Sequence, residues 1–363
     1  MFGNVIVEKK TGKIIMKIAI DISPLQTGHK VRGVGFYLQH LKDALVRYYP
    51  ENDYYFFTKQ DEIPGNSDVV HYPYFDPFFL TLPFFQKKKT IVTVHDLTPL
   101  VFPQAFPAGI KGKIYWQIQK WHLKHVAAII TDSKVSSKDV GKYTGISGSK
   151  INTVYLAAGE EFRKIEMGKL QIESLRKKYN LPEKFVLYVG DVTWNKNLPR
   201  LIKAIKQSNV PLVMVGKSIV AKNFARENPW NRDLVVVQKE TEGDNRFIKL
   251  GFVPTEDLVA LYNRATVFVF PSLYEGFGLP ILEAMQSGCP VITTKEGSLP
   301  EVAGNAAHYV DAYDIQSIAK GIGEIFFSQK LQKEFTDKGL AQAKKFSWQK
   351  TAEQTIATYK KVL

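Results

Sequence analysis

Short runs of β-branched and aromatic residues recur along the chain, separated by longer stretches in which apolar residues follow helical spacing. These runs predict strands at residues 17–23, 53–58, 68–72, 89–95, 127–132, 185–190 and 265–270. Strands that alternate with helices in this way form mostly parallel, doubly wound sheets. Functional side chains of such sheets lie at the carboxyl ends of the strands, so the residues that follow each run are the first candidates for a site.

A polar stretch at residues 157–169 follows the last predicted strand of the first half and predicts a linker. We therefore expect an α/β protein of two domains, residues 1–168 and 169–346, each long enough for a full core. Residues 1–15 fit the alternation poorly and predict either a short hairpin or an irregular start, to which no function is assigned.

Residues 271–291, PSLYEGFGLPILEAMQSGCPV, combine a turn signal with a helix signal. The apolar run before them leads into a glycine turn, and the pattern predicts a helix that begins at Pro280 and ends at Gly288. Proline suits the start of a helix because its missing N–H needs no partner there, and glycine accepts the left-handed conformation after the last turn. Free amides at a helix start bind anions, which predicts a phosphate site at Gly276, Phe277, Gly278, Leu279 and Ile281.

Two glutamates flank this turn, Glu275 before it and Glu283 about one turn into the helix. A single glutamate here would most simply favour the positive end of the helix dipole, an effect worth about 0.3 to 1 kcal/mol. A pair around GFGLP indicates more. Glu275 could accept hydrogen bonds from a sugar, and Glu283 from vicinal hydroxyls such as those of a ribose.

Another glycine loop, with Gly33 and Gly35, lies between the first predicted strand and a helix whose apolar positions are Tyr37, Leu38, Leu41 and Leu45. A nicotinamide-dependent oxidoreductase would use a loop of this kind. However, Leu38 occupies the position of the third glycine of the dinucleotide fingerprint, and the paired glutamates have no place in such a site. The pattern therefore disfavours that class.

Polar residues also follow other predicted strands. His95 and Asp96 end one strand in TVHDLTPL, and Asp132 and Ser133 end the next in IITDSKVSSKDV, where Ser133 could equally cap the following helix. In the second half, lysines follow two strands, Lys196 after YVGDVTWN and Lys217 after VMVG. A lysine at such a place either lies in solvent or binds an anion.

The segment EGFGLPILEAM, together with PVI at residues 290–292, closely resembles the donor-site signature of retaining glycosyltransferases of the GT-B fold, in family 4 of that classification. HDLTP resembles the central loop of the same family, and YVGDVTWNKNLPRLIKAI its second phosphate-binding loop. The resemblance extends over both halves of the chain. It implies two Rossmann-like domains facing a cleft, an acceptor-side first domain and a donor-binding second one, with residues 347–363 packing back on the first domain.

The resemblance also implies roles for individual residues. Glu275 and His95 would be the catalytic residues that contact the donor sugar, and Lys196 would contact the diphosphate. Further donor contacts are implied at Glu283, Gly276, Phe277, Gly278, Leu279, Gly33, Gly35, Lys217, Gly251, Phe252 and Val253, and acceptor-side contacts at Asp96 and Ser133. Asp191 and Asn195 stand where many relatives have arginine, which puts the strength of donor binding in question.

The implied reaction is sugar transfer from a nucleotide sugar to a saccharide or lipid-linked saccharide acceptor in envelope polysaccharide synthesis, with retention of configuration. RGVGFYL and YVGDVTWNKN resemble mannosyltransferase-like relatives, which favours GDP-mannose as donor. The alternatives are a UDP-glucose-type glucosyltransferase and a noncatalytic homologue that binds nucleotide sugars. No Asp-x-Asp occurs in the sequence, so we expect activity without a divalent metal or other cofactor.

The net charge of +14 is shared evenly between residues 1–168 and the remainder, and no nucleic-acid-binding module is recognised, so we expect no nucleic-acid partner. The single cysteine, Cys289, excludes an internal disulfide and is expected to pack as a small apolar residue. No apolar run reaches the about 20 residues of a membrane span, and no signal peptide is evident. We expect a protein that is cytoplasmic or peripheral on the inner face of the membrane.

Residues 77–131 carry seven lysines against one acid, Asp96, and are dense in aromatic residues. Within them, Ile114, Ile118 and Trp121 form an apolar stripe at helical spacing. Such a segment can lie on an anionic membrane surface. Alternatively, its aromatic residues pack in the first domain and its lysines are solvated.

Overall fold

A computed structural model describes residues 15–31, 33–84 and 88–363, so the hairpin predicted within residues 1–15 falls almost entirely outside the described residues. Within these ranges, the first half of the chain forms one six-stranded sheet, all of whose pairings are parallel, in the order β2-β1-β3-β4-β5-β6. Its strands are β1 (Lys17–Asp21), β2 (Asp53–Phe57), β3 (Val69–Tyr72), β4 (Lys89–Thr93), β5 (Ala128–Thr131) and β6 (Ile151–Thr153).

The helices of the first half follow the predicted alternation. They are α1 (Gly33–Tyr48), α2 (Thr98–Val101), α3 (Gly109–His125) and α4 (Lys134–Thr144). The apolar positions predicted for α1, from Tyr37 to Leu45, are buried. The hydrophobic face that the sequence indicates is therefore the face that packs on the sheet.

The second half repeats this architecture. Its strands form another parallel sheet of six described strands in the order β12-β11-β10-β7-β8-β9. They are β7 (Val186–Val189), β8 (Leu212–Val215), β9 (Phe247–Leu250), β10 (Val267–Phe270), β11 (Val291–Thr294) and β12 (His308–Val310). The helices are α5 (Lys169–Tyr179), α6 (Leu198–Ser208), α7 (Arg232–Glu240), α8 (Thr255–Arg264), α9 (Leu279–Gln286), α10 (Leu299–Ala303), α11 (Ile315–Phe326), α12 (Gln329–Ala343) and α13 (Trp348–Lys361).

Each sheet reverses its winding direction once. In the first sheet β1 lies between β2 and β3, and in the second β7 lies between β8 and β10. Ligands of open α/β sheets bind at such switch points, beyond the carboxyl ends of the strands. The loops after β7 and β10 carry Lys196 and Glu275, so the switch point of the second sheet coincides with the site predicted from sequence.

The last helix, α13, packs on the first half of the chain. Its Tyr359 hydroxyl lies 2.7 Å from Nδ1 of His71 in β3, and the indole of Trp348 donates to the carbonyl of Ala158. Tyr359 and His71 are both fully buried. The predicted α/β fold, with two doubly wound sheets and a returning last helix, is confirmed.

Cys289 is buried, and burial raises the pKa of its thiol, so it packs as a small apolar residue as expected. Among the described residues, no helix is both long and apolar enough to cross a bilayer.

Candidate active site

The turn between β10 and α9 owes its shape to two glycines. Gly278 has φ = 102°, a left-handed conformation that side chains disfavour. A Cβ on Gly276 would lie 2.7 Å from the carbonyl oxygen of His95 and from Cβ of Asp96. Gly276 therefore allows the second half of the chain to touch the loop that follows β4 in the first half.

Helix α9 begins one residue earlier than predicted, at Leu279, with Pro280 in its first turn. The amide of Ile281 donates to the carbonyl of Gly278 at 3.0 Å, so the expectation that this amide is free for an anion is wrong. The amides of Gly276, Phe277, Gly278 and Leu279 donate in none of the hydrogen bonds described for residues 15–31, 33–84 and 88–363. These four remain the predicted amides that an anion could use.

Lys196 and Glu275 form an ion pair at the switch point of the second sheet. The amine of Lys196 donates to both carboxylate oxygens of Glu275, at 2.8 and 2.9 Å. Glu275 is only 8% exposed. Two further contacts fix the loop. The side-chain amide of Asn195 donates to the carbonyl of Tyr274, and the hydroxyl of Ser298 donates to the backbone carbonyl of Glu275. Lys196 is thus already neutralised before any diphosphate binds.

Asp191 holds the loop after β8. Its carboxylate accepts from the backbone amide of Ser218 at 3.0 Å, and the Ser218 hydroxyl accepts from the amide of Val192 at 2.8 Å. Lys217, the neighbour of Ser218, is exposed. Asp191 therefore fixes the loop that carries Lys217.

Glu283 lies in α9 and is 8% exposed. Burial raises its pKa to about 7, while the hydrogen bond from the Tyr262 hydroxyl, at 3.0 Å, acts in the opposite direction. At neutral pH this carboxyl is therefore divided between its acid and its anion. Ligand hydroxyls that donate to it would favour the anion.

His95 has a hydrogen-bond acceptor at each ring nitrogen. Nδ1 lies 2.7 Å from a carboxylate oxygen of Asp132, and Nε2 lies 3.1 Å from the carbonyl oxygen of Pro73. Burial alone would lower the pKa of His95, but the charge and hydrogen bond of Asp132, the charge of Asp96 and the Pro73 carbonyl together raise it. Both ring nitrogens can donate only in the imidazolium, so these two acceptors favour the charged form of His95. Asp132 is itself buried, and burial raises its pKa, which acts in the opposite direction by weakening the carboxylate's charge.

The remaining predicted residues fall into two groups, those at or next to a helix start and those in the loop after β9. Asp96 accepts from the amide of Thr98 at the start of α2, and Ser133 is buried and caps α4 through the amide of Ser136, which is the alternative that the sequence left open. Gly33 and Gly35 lie in the first turn of α1. After β9, Gly251 packs against Val220, Phe252 is exposed and Val253 is buried.

The sequence analysis missed two contacts, that of Asp132 with His95 and that of Glu301 with the start of α4. The position of Asp132 at a strand end is visible in the sequence, but the adjacency of β4 and β5, which brings it to His95, is not. Among the described residues, no group of three or more His, Cys, Asp or Glu side chains could hold a metal ion.

Comparison with known proteins places these residues in a family. The model of glycosyl transferases group 1 matches residues 171–342. The O-antigen chain mannosyltransferase B of Escherichia coli is 32% identical over 305 residues, which cover 81% of this chain and 75% of that protein. The chain belongs to the glycosyl transferases group 1 family.

Other relatives of this group 1 glycosyl transferase are longer. The serotype-specific mannosyltransferase WbdA of Escherichia coli is 31% identical over 281 residues, 76% of this chain but 34% of WbdA. The chain thus spans about a third of the length of the first relatives it matches.

Solved structures share the fold of this group 1 protein. Sucrose-phosphate synthase from Thermosynechococcus elongatus superposes with a TM-score of 0.73 at 20% identity, covering 95% of this chain and 98% of that one. Anabaena HepE in complex with UDP-glucose gives 0.71 at 16% identity, covering 95% and 100%. These likenesses establish the GT-B arrangement of the two sheets.

Proposed function

We propose that this chain is a retaining glycosyltransferase that moves mannose from GDP-mannose to a saccharide or lipid-linked saccharide acceptor in envelope polysaccharide synthesis. One observation carries the proposal. The Lys196–Glu275 pair lies at the switch point of the second sheet, and Gly276 beside it touches His95 and Asp96 of the first. The two halves of the chain thus bring a cation, a carboxylate and an imidazolium together.

The donor diphosphate would lie against the start of α9. The amides of Phe277, Gly278 and Leu279 would bind its oxygens, and Lys196, released from Glu275, would offset its charge. In the reaction the bond between the anomeric carbon and the phosphate oxygen breaks, and its electron pair leaves with the nucleoside diphosphate. Preorganised donors stabilise that charge where it develops, and removing one donor from such a site typically costs about 10² to 10³ in kcat.

Glu275 and His95 would hold the transferred sugar. Freed from Lys196, the Glu275 carboxylate can accept from sugar hydroxyls. The Nε2–H of His95 would leave the Pro73 carbonyl and donate to an oxygen of the sugar or phosphate, while Nδ1 keeps its bond to Asp132. The acceptor hydroxyl attacks the anomeric carbon from the face that the diphosphate leaves. Attack on this face retains the configuration, and the proton of the acceptor hydroxyl passes to the departing phosphate.

The cations in this scheme are protein groups, and we propose that the reaction proceeds without a divalent metal. Lys196 and the amides at the start of α9 would carry the role that a metal has in other glycosyltransferases. Glu283 would bind the ribose hydroxyls, and the loop at Gly251, Phe252 and Val253 would contact the base.

The first half of the chain offers a surface for a membrane or a lipid-linked acceptor. Five apolar side chains of this half have between 55% and 83% of their surface exposed: Phe79, Phe84, Ile110, Ile114 and Trp121. We call this set the aromatic patch. Helix α3, which supplies three of them, contains four lysines and no acid. Other aromatic residues of the segment, such as Phe75, are buried. An exposed apolar face with lysines beside it suits an anionic lipid surface.

A donor panel tests the proposal. Thermal shift with GDP, UDP, ADP and their sugars should select one base, and transfer of labelled mannose to a mannose-containing acceptor should depend on Lys196 and Glu275. UDP-glucose belongs in the panel because Anabaena HepE was solved with it. A chain that binds a nucleotide sugar but neither transfers nor hydrolyses it would instead be a noncatalytic homologue.

A further inference from the structure

Glu301, in α10 of the second half, contacts the start of α4 in the first half. One carboxylate oxygen lies 2.9 Å from the amide of Lys134 and the other 3.0 Å from the amide of Val135. The hydroxyl of Tyr155 donates to the same carboxylate at 2.9 Å. We call these three bonds the Glu301 contact. An anion at a helix start satisfies amides that have no partner within the helix and interacts favourably with the helix dipole.

The next turns of α4 complete this junction. The hydroxyl of Ser136 lies 2.8 Å from the carbonyl oxygen of His95 and 3.3 Å from that of Gly276. Asp139 accepts from the hydroxyl of Tyr274. One helix of the first half thus contacts the loops that follow β10 and β11 in the second half. The start of α4 is the surface against which the donor side of the molecule rests.

The Glu301 contact begins two residues along the chain from Asp132, the partner of His95. Asp132, which binds His95, is followed by Ser133, the cap of α4, and then by Lys134. The backbone amide of Lys134 donates a hydrogen bond to Glu301. A shift of the start of α4 would therefore shift Asp132 and the imidazolium it orients.

The same short segment reaches Glu275. Ser298, three residues before Glu301, donates to the carbonyls of Glu275 and Phe277, both at 2.9 Å. Residues 298–301 therefore touch the structure that positions Glu275 on one side and His95 on the other.

We propose that Glu301 is a positioning residue, which holds the two halves in the arrangement that transfer requires by binding the start of α4; this inference rests on the proposed function. Glu301 is not expected to touch substrate. Its three bonds all lie outside the sheets and helices of its own half, so their loss should leave both sheets folded. What should change is the position of His95 relative to Glu275. A misplacement of about 1 Å at reacting groups can cost about 10²-fold in rate.

The experiment compares Glu301→Ala, Glu301→Gln and Tyr155→Phe with Glu160→Gln, a carboxylate that is 70% exposed and pairs with Arg47. For Glu301→Ala we expect kcat to fall about ten- to a hundredfold while the donor KM changes by less than about threefold, the pattern of an interaction needed in the transition state. Glu301→Gln should recover part of kcat, Tyr155→Phe should lose a smaller part, and Glu160→Gln should match the wild type.

A second measurement needs no activity. Spin labels on Lys59→Cys and Lys330→Cys, exposed positions in the two halves, can be introduced beside the single buried native cysteine. Glu301→Ala should broaden the distance distribution between them. Wild-type kcat in Glu301→Ala, or an unbroadened distribution, overturns the proposal. If the wild-type chain acts on no nucleotide sugar, the proposed function fails, and the distance distribution alone decides whether the Glu301 contact holds the halves together.

Discussion

The amine of Lys196 binds both carboxylate oxygens of Glu275, at 2.8 and 2.9 Å, although the two residues are 79 positions apart in sequence. Each is also a residue that we propose to contact the donor, Lys196 its diphosphate and Glu275 its sugar. Donor binding must therefore separate this pair, and the diphosphate competes with Glu275 for the amine. If the two compete, substitutions of Glu275 and of Lys196 should have opposite effects on diphosphate binding.

Glu275→Gln should strengthen the binding of a nucleoside diphosphate, because it removes the charge that neutralises Lys196, while kcat falls about 100-fold or more. Lys196→Ala should weaken the same binding and lower kcat/KM. Isothermal titration with GDP and UDP measures the first effect, and Glu160→Gln serves as the control. Weaker diphosphate binding by Glu275→Gln would show that the pair does not compete with the ligand.

Asp132→Asn should remove the charge that keeps His95 protonated. Burial would then lower the pKa of His95, and transfer activity should fall at neutral pH. Because the folded pKa is raised, the pair's contribution to stability is fully present below the unfolded value of about 6.5 and is lost as pH rises through the folded value.

Side-chain NMR of His95 should show a protonated ring at pH 7 in the wild type and a neutral ring in Asp132→Asn. Asp337→Asn, at an exposed position of α12, is the matched control and should leave the His95 signal unchanged. A neutral wild-type ring at pH 7 would contradict the assignment.

Because of Glu283, the free energy of unfolding of the unliganded protein should fall as the pH rises from about 4.5 to about 7. A carboxyl whose folded pKa, about 7, exceeds its ordinary value of 4.5 binds its proton more tightly in the folded state. The loss over this range is about 3 kcal/mol, and Glu283→Gln should not show it. Urea unfolding at pH 5 and pH 8 measures the difference, with Glu62→Gln as an exposed control.

The same group should couple nucleotide binding to proton release. If ribose hydroxyls donate to the Glu283 anion, binding at pH 7 releases a fraction of a proton, and the calorimetric enthalpy depends on the ionisation enthalpy of the buffer. Glu283→Gln should abolish that dependence. A buffer dependence that survives in Glu283→Gln would assign the proton to another group.

Tyr359→Phe should destabilise the protein by about 1 to 3 kcal/mol, because it leaves Nδ1 of the fully buried His71 without its partner. Thermal unfolding measures the change, and Tyr115→Phe, on the partly exposed side of α3, should have little effect. Equal melting temperatures for Tyr359→Phe and the wild type would show that the Tyr359–His71 bond does not stabilise the packing of α13 on the first half.

Ile114→Glu and Trp121→Glu should reduce binding to vesicles that contain anionic lipid, since each places a charge in the aromatic patch. Co-sedimentation at low salt measures binding. Phe327→Glu is the control because Phe327 is 73% exposed in the second half of the chain. Wild-type chain that stays in solution with anionic vesicles would remove the membrane proposal.

Sequence patterns predicted the parallel sheets because the apolar runs are short and buried on both faces, and they located the turn at Gly276 and Gly278 because few other residues permit it. They could not predict which loops meet. The Lys196–Glu275 and His95–Asp132 pairs depend on strand order, which hydrophobic periodicity does not encode. The bond from the Ile281 amide to the Gly278 carbonyl and the bond from the Ser218 amide to Asp191 depend on backbone geometry. Hydrophobic periodicity does not encode that geometry either.

Helix α13 is made after every strand of the second sheet but packs against α1 and β3, which are made first. While the chain is being synthesised, the apolar surface that Trp348, Ile356 and Tyr359 later cover is open to solvent. The early half therefore completes its core only after the late half has left the ribosome. The half that is synthesised first thus depends on the segment that is synthesised last.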